Sequence, residues 1–93
     1  MMKNTTLSDR YPTGQLVRSR QGRDKNKLYI VTASDEKFLY AANGMKWTVS
    51  NPKRKNPLHV QKINIRMDAE ITDADIVKII QTFENRKENQ EDK

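Results

Sequence analysis

A chain of 93 residues with 18 Lys/Arg against 12 Asp/Glu, a net charge of +6, 34% apolar residues and no cysteine makes one small domain with a modest core. The lack of cysteine excludes disulfides and thiolate metal sites. No apolar run reaches the ~18 residues that span a bilayer and no signal-peptide core precedes the first motif, so the expectation is a cytoplasmic protein with no membrane partner.

Residues 1–11 are polar and aperiodic, which predicts a flexible N-terminal arm, with Tyr11 placed to cover the open end of the folded domain. Gly14 opens a strand over 15–20, the cluster Gln21-Gly22-Arg23-Asp24-Lys25-Asn26 reads as a turn, and 27–33 is a second strand rich in β-branched and aromatic residues. A polar break at 34–37 leads to a third short strand, Phe38-Leu39-Tyr40-Ala41. Asn43-Gly44 is a strong hairpin signal, predicting a fourth strand over 45–49. The segment NPKRKNP, 51–57, reads as a loop held extended by its two prolines, before a fifth strand over 59–65. Strands this short, with such tight connections, predict a mainly β domain: a small barrel of about five antiparallel strands over 12–66.

The last third changes character. Thr72 is a candidate N-cap, Asp73 and Asp75 suit the positive end of a helix dipole, and Ile76, Ile80 and Phe83 recur at i, i+4 and i+7. Together they predict one C-terminal α-helix, running to about residue 85 within an extension over 67–86, with a disordered tail over 87–93. The charge follows the same division. Residues 1–62 hold 13 Lys/Arg against 4 Asp/Glu, and residues 63–93 hold 5 against 8. A basic body with an acidic end suggests a polyanion-binding surface confined to the first part.

The candidate cations fall in two blocks. Arg18, Arg20, Arg23, Lys25 and Lys27 crowd two strands and their turn, with Arg18 and Arg20 on one strand face; Lys53, Arg54 and Lys55 sit between Pro52 and Pro57. Each block reads either as a set of phosphate contacts or as a solvated face that keeps a small domain soluble. Lys46 lies beside Trp47. Tyr29, Tyr40 and Trp47 either fill the core or stack on unpaired bases, with Tyr40 and Trp47 the candidates for stacking. Asp24 reads as a turn-stabilising carboxylate kept ionised by its cationic neighbours. His59, the one histidine, has no nucleophile or second ligand to join it, so its expected role is a structural or phosphate hydrogen bond. No enzyme activity, metal or cofactor is expected, because no acid/base pair, ligand cluster or phosphate-cradling glycine loop is present.

Residues 14–31, GQLVRSRQGRDKNKLYIV, resemble a KOW motif: strand, glycine-containing basic turn, returning strand. The likeness is to the KOW-bearing ribosomal proteins of the L14e/L6e/L27e-like family, including its small bacterial members. It extends over about 12–64, where KWTVSNPKRKNPLHVQKI supplies a basic, proline-containing loop before a His-containing strand. Gly22 matches the motif glycine, and Asn26 stands where a glycine is usual, Asn being the other residue that accepts left-handed backbone. The resemblance implies an SH3-like barrel that binds RNA, ribosomal RNA or a ribosome-associated target, as a monomer with ribosomal proteins as further partners. A second reading is a protein-interaction adaptor of translation or transcription, docking through the barrel or the C-terminal helix.

Overall fold

Thr6 and Asp9 make a reciprocal cap, each side chain accepting the other's backbone N–H at 3.3 Å. In the computed structural model, which describes residues 6–68 and 70–91, they open a short helix, α1 (Leu7–Arg10). Of the flexible arm expected over 1–11, residues 1–5 lie outside the described residues and Leu7–Arg10 take helical form, a capping box within a polar stretch. Leu7 and Tyr11 then pack against the buried cluster of Val17, Tyr29, Val31, Leu39, Ala41 and Val60.

Five strands come next: β1 (Gln15–Ser19), β2 (Leu28–Ser34), β3 (Leu39–Ala42), β4 (Lys53–Lys55) and β5 (Val60–Arg66). They form one antiparallel sheet in the order β4-β3-β2-β1-β5. The chain ends its described part in α2 (Asp73–Glu91). The mainly β domain with five antiparallel strands and one C-terminal α-helix is therefore what the chain forms.

Strand alternation divides the core in two. Leu16, Leu28, Ile30 and Ala42 point to one face and pack with Met67 and Ile76, while Ile79, Ile80 and Phe83 of α2 lie against them. Val17, Tyr29, Val31, Leu39 and Ala41 point to the other. Burial on both faces explains why Leu28-Tyr29-Ile30-Val31 reads as an unbroken apolar run. The helix stripe does what its periodicity predicts: Thr72 Oγ1 accepts the Asp75 N–H at 3.2 Å, and Ile76 is wholly buried. Helical backbone continues to Glu91 rather than ending near 85. Of the tail expected over 87–93, residues 92 and 93 lie outside the described residues. Among the described residues no helix is long and apolar enough to cross a membrane.

The ladder register shifts at two places. The β2–β3 register shifts between Val31 and Ala33, where Thr32 Oγ1 donates to the Tyr40 carbonyl at 3.1 Å. The β1–β5 register shifts between Gln15 and Val17, and the buried Gln15 amide donates to the carbonyls of Ile63 and Ile65. A side chain thus replaces the ladder bonds the bulge removes.

The expected fourth strand over 45–49 is corrected to β4, which starts eight residues further on. Asn43 is the reason. Its side-chain oxygen accepts the N–H groups of Met45 and Trp47, each at 3.0 Å, and its own N–H bonds the Trp47 carbonyl. Those donors are then lost to any ladder. Thr48 and Asn51 exchange backbone bonds to turn the chain, and Val49 N–H is held by Asp73 of α2 at 2.8 Å. Gly44, at φ +83, packs so closely on α2 that a Cβ there would meet the Asp73 carbonyl and Val77 at 2.6 Å. The NPKRKNP segment is accordingly not a loop: its three cations pair with β3 as an edge strand. Pro57–His59 form a 3-10 turn capped by Asn56, so the fifth strand starts at Val60 and not at His59.

Candidate functional site

The β1–β2 turn is built as its residue types require. Gly22 at φ +87 and Asn26 at φ +76 supply the left-handed backbone, Asn26 being the one such non-glycine residue described. Asn26 N–H bonds the Ser19 carbonyl at 2.7 Å and Ser19 N–H bonds the Lys27 carbonyl at 2.9 Å, which closes the turn. Arg20, Arg23, Lys25 and Lys27 are all exposed on it. Arg20 N–H bonds the His59 carbonyl at 2.8 Å, setting the 3-10 turn beside the basic turn. His59 is half-buried and contributes that backbone contact.

The second block behaves differently because it is a strand. Lys53 and Lys55 register with Ala41 and Leu39, and Arg54 with Tyr40, so successive side chains go to opposite faces. Lys55 is only 7% exposed, and its Nζ reaches Ser19 Oγ at 3.1 Å and Asp24 Oδ2 at 2.8 Å. Lys53 Nζ lies 3.5 Å from the same carboxylate oxygen. Lys55 as a surface cation is thus a correction: burial and an ion pair remove it from the surface, and Lys53 is half withdrawn.

Asp24 is the junction of the two blocks. Besides the lysines it accepts the Tyr29 hydroxyl at 2.8 Å and the Ser19 hydroxyl at 3.0 Å. Burial alone would raise its pKa, but the hydrogen bonds from Lys55, Tyr29 and Ser19 and the Lys55 charge outweigh it, holding the carboxyl well below the ordinary range. The ionised, turn-stabilising reading of Asp24 agrees with this geometry. Burial and the Asp24 charge push the Tyr29 phenol up from its usual value. Tyr29 is 1% exposed, a core residue and not a stacking platform.

On the side of the sheet away from Asp24, Arg54 lies 4.6 Å from the Phe38 ring centroid. Its neighbour Tyr40 is half-buried, its hydroxyl donating to Asp35 at 2.6 Å. That bond, with the N–H groups of Phe38 and Lys37 and the nearby Arg54, lowers the Asp35 pKa to about 2. Trp47 is half-buried against the cluster of Val17, Tyr29 and Leu39, with Lys46 and Lys53 Nζ at 5.6 and 5.1 Å from its ring centroid. Arg18 faces α2, 5.9 Å from the Phe83 ring, and so stands apart from the turn cations. The sequence reading overlooked two exposed cations, Lys62 and Arg66 of β5. Their alternation with Ile63 and Ile65 was the available signal. Arg66 Nε donates to the Thr13 carbonyl at 3.3 Å and Lys62 sits over Tyr11.

The site can therefore present guanidinium and ammonium groups from a closed turn, flanked by one half-exposed indole. In comparisons with known proteins, no family model and no curated protein matches this chain.

Proposed function

We propose that the chain is an RNA-binding protein of the KOW type, which engages ribosomal RNA or acts in ribosome function or assembly, in the cytoplasm and as a monomer. The observation that carries this reading is the meeting of the two basic blocks at Asp24, which gathers the turn, Lys53 and the Trp47 loop at one place. Exposed cations on a closed turn suit phosphate oxygens, and a half-exposed indole beside them suits an unpaired base. Contacts of this kind position a nucleic acid without reading its sequence, so shape or a looped-out base would supply selectivity.

The test is the salt dependence of binding to a labelled RNA stem–loop. Replacing Arg20, Arg23, Lys25 and Lys27 by Ala is expected to flatten the slope of log K against log salt by about 3 units, whereas Arg54→Ala changes it by about 1 or less. Equal affinity and slope in the quadruple variant would exclude the turn as the binding surface.

A second reading, a protein adaptor, draws on a groove of about 370 Å³ lined by Ile65, Lys78, Ile79, Thr82 and Phe83. Removing residues 70–93 does not separate the readings, since α2 supplies the fully buried Ile76. Phe83→Ser does: it should abolish adaptor binding and leave RNA affinity unchanged.

A further inference from the structure

The most cationic turn of the molecule has a carboxylate at its centre. A polyanion-binding surface gains nothing electrostatically from an acid, so Asp24 needs another reason to be there. Its side chain is 13% exposed and turned inward, whereas the neighbouring Arg23 and Lys25 are exposed. It takes donors from three strands: Ser19 of β1, Tyr29 of β2 and Lys55 of β4. The turn's backbone bonds run within the turn, to the flanking strand ends and, from Arg20, to the His59 carbonyl, but none reaches β4. The tie to distant β4 is the Asp24 carboxylate.

Resting on the RNA reading above, we propose that Asp24 is a positioning residue for phosphate binding, whose anchorage to β1, β2 and β4 holds Arg23 and Lys25 outward before RNA arrives. An inward Asp24 sends the side chains on either side of it outward. A turn already ordered loses less conformational freedom when it meets the phosphates. Lys55 is on this account the anchor of the turn and not a ligand for RNA, and its burial follows from that role.

The proposal has a consequence opposite in sign to simple electrostatics. Asp24→Asn raises the net charge by one unit and loosens Lys53 and Lys55, so a surface acting by charge alone would bind RNA more tightly. Positioning predicts weaker binding. In the full chain, with a labelled RNA stem–loop titrated over a range of potassium chloride, D24N is expected to bind about fivefold more weakly. Its salt slope should be lower by about 2, for the contacts of Arg23 and Lys25. Loss of folded material alone would lower the active fraction without changing the slope. Tyr29→Phe removes one donor and keeps the ion pair; about twofold weaker binding is expected. Amide exchange supplies a measurement independent of RNA: residues 22–27 should exchange faster in D24N, by a larger factor than Val17 and Ile30, which report global opening.

Equal or tighter binding by D24N, or a steeper slope, overturns the proposal, as does unaltered exchange in the turn. Should D24N not fold, Y29F decides: weaker binding with faster exchange of the turn upholds the proposal, and wild-type affinity overturns it. Absence of binding by the unmodified chain overturns the RNA reading itself, and the exchange measurement still reports whether Asp24 holds the turn.

Discussion

The β1–β2 turn and strand β4 are the two most cationic stretches of the chain, and they put their charge in opposite places. On the turn, Arg20, Arg23, Lys25 and Lys27 all reach solvent. On β4, alternation sends Lys53 and Lys55 inward to a single carboxylate and leaves Arg54 outside. The difference teaches that charge density along a sequence does not give charge density on a surface. Backbone geometry decides it: a closed turn splays its side chains, whereas a strand divides them between two faces.

The sharpest way to break this comparison is Asp24→Ala. With Lys55 left buried and without its carboxylate, unfolding in urea should show a loss of about 3–5 kcal/mol, a large share of what a domain of this size possesses. A loss under about 1 kcal/mol would mean that the inner lysines are not held as described. Next in size is a pair of single changes. Lys55→Ala should cost about 2–3 kcal/mol, because the buried carboxylate loses its closest cation, while Arg23→Ala on the turn stays within about 0.5 kcal/mol. Similar costs for both would erase the distinction between the blocks. Tyr29→Phe comes after these at about 1.5 kcal/mol for one hydrogen bond to a charged group.

Acid titration reaches the same carboxylate through its proton and needs no change to its partners. The folded Asp24 carboxyl is held far below its unfolded value, so the stability it contributes is fully present above about pH 4 and is lost as pH falls toward the folded value. Measured unfolding free energy should therefore fall less steeply below about pH 4 in D24N than in the unmodified chain. The two curves should run parallel above about pH 5.

Much of the fold could be read from local pattern. β1, β2 and β3 lie within one residue of their expected bounds, because apolar runs and the Gly22/Asn26 turn are signals carried by neighbouring residues. The α2 stripe was equally plain, since Ile76, Ile80 and Phe83 mark one helical face. β4 could not be read this way. Lys-Arg-Lys has no apolar alternation, and its strand character comes from pairing with Leu39, Tyr40 and Ala41, which lie more than ten residues away. The false strand over 45–49 had the right residue types and the wrong donors, lost to the Asn43 side chain. For the site, the basic turn and the ionised Asp24 were visible. The partner of Asp24, 31 residues further along, was not. The α1 cap is written in the spacing of Thr6 and Asp9.

Strand β4 has one further consequence. As one of the two outer strands of the sheet among the described residues, it would ordinarily offer a row of free N–H and C=O groups to a strand of another molecule. It is three residues long, lies between Pro52 and Pro57, and carries inward-facing Lys53 and Lys55. Each proline withholds a donor, and a strand added alongside would further desolvate the lysine charges. The arrangement that withdraws Lys55, and half of Lys53, from a ligand thus also guards this edge against strand pairing, and replacing β4 by a longer apolar strand would turn it into a site of self-association.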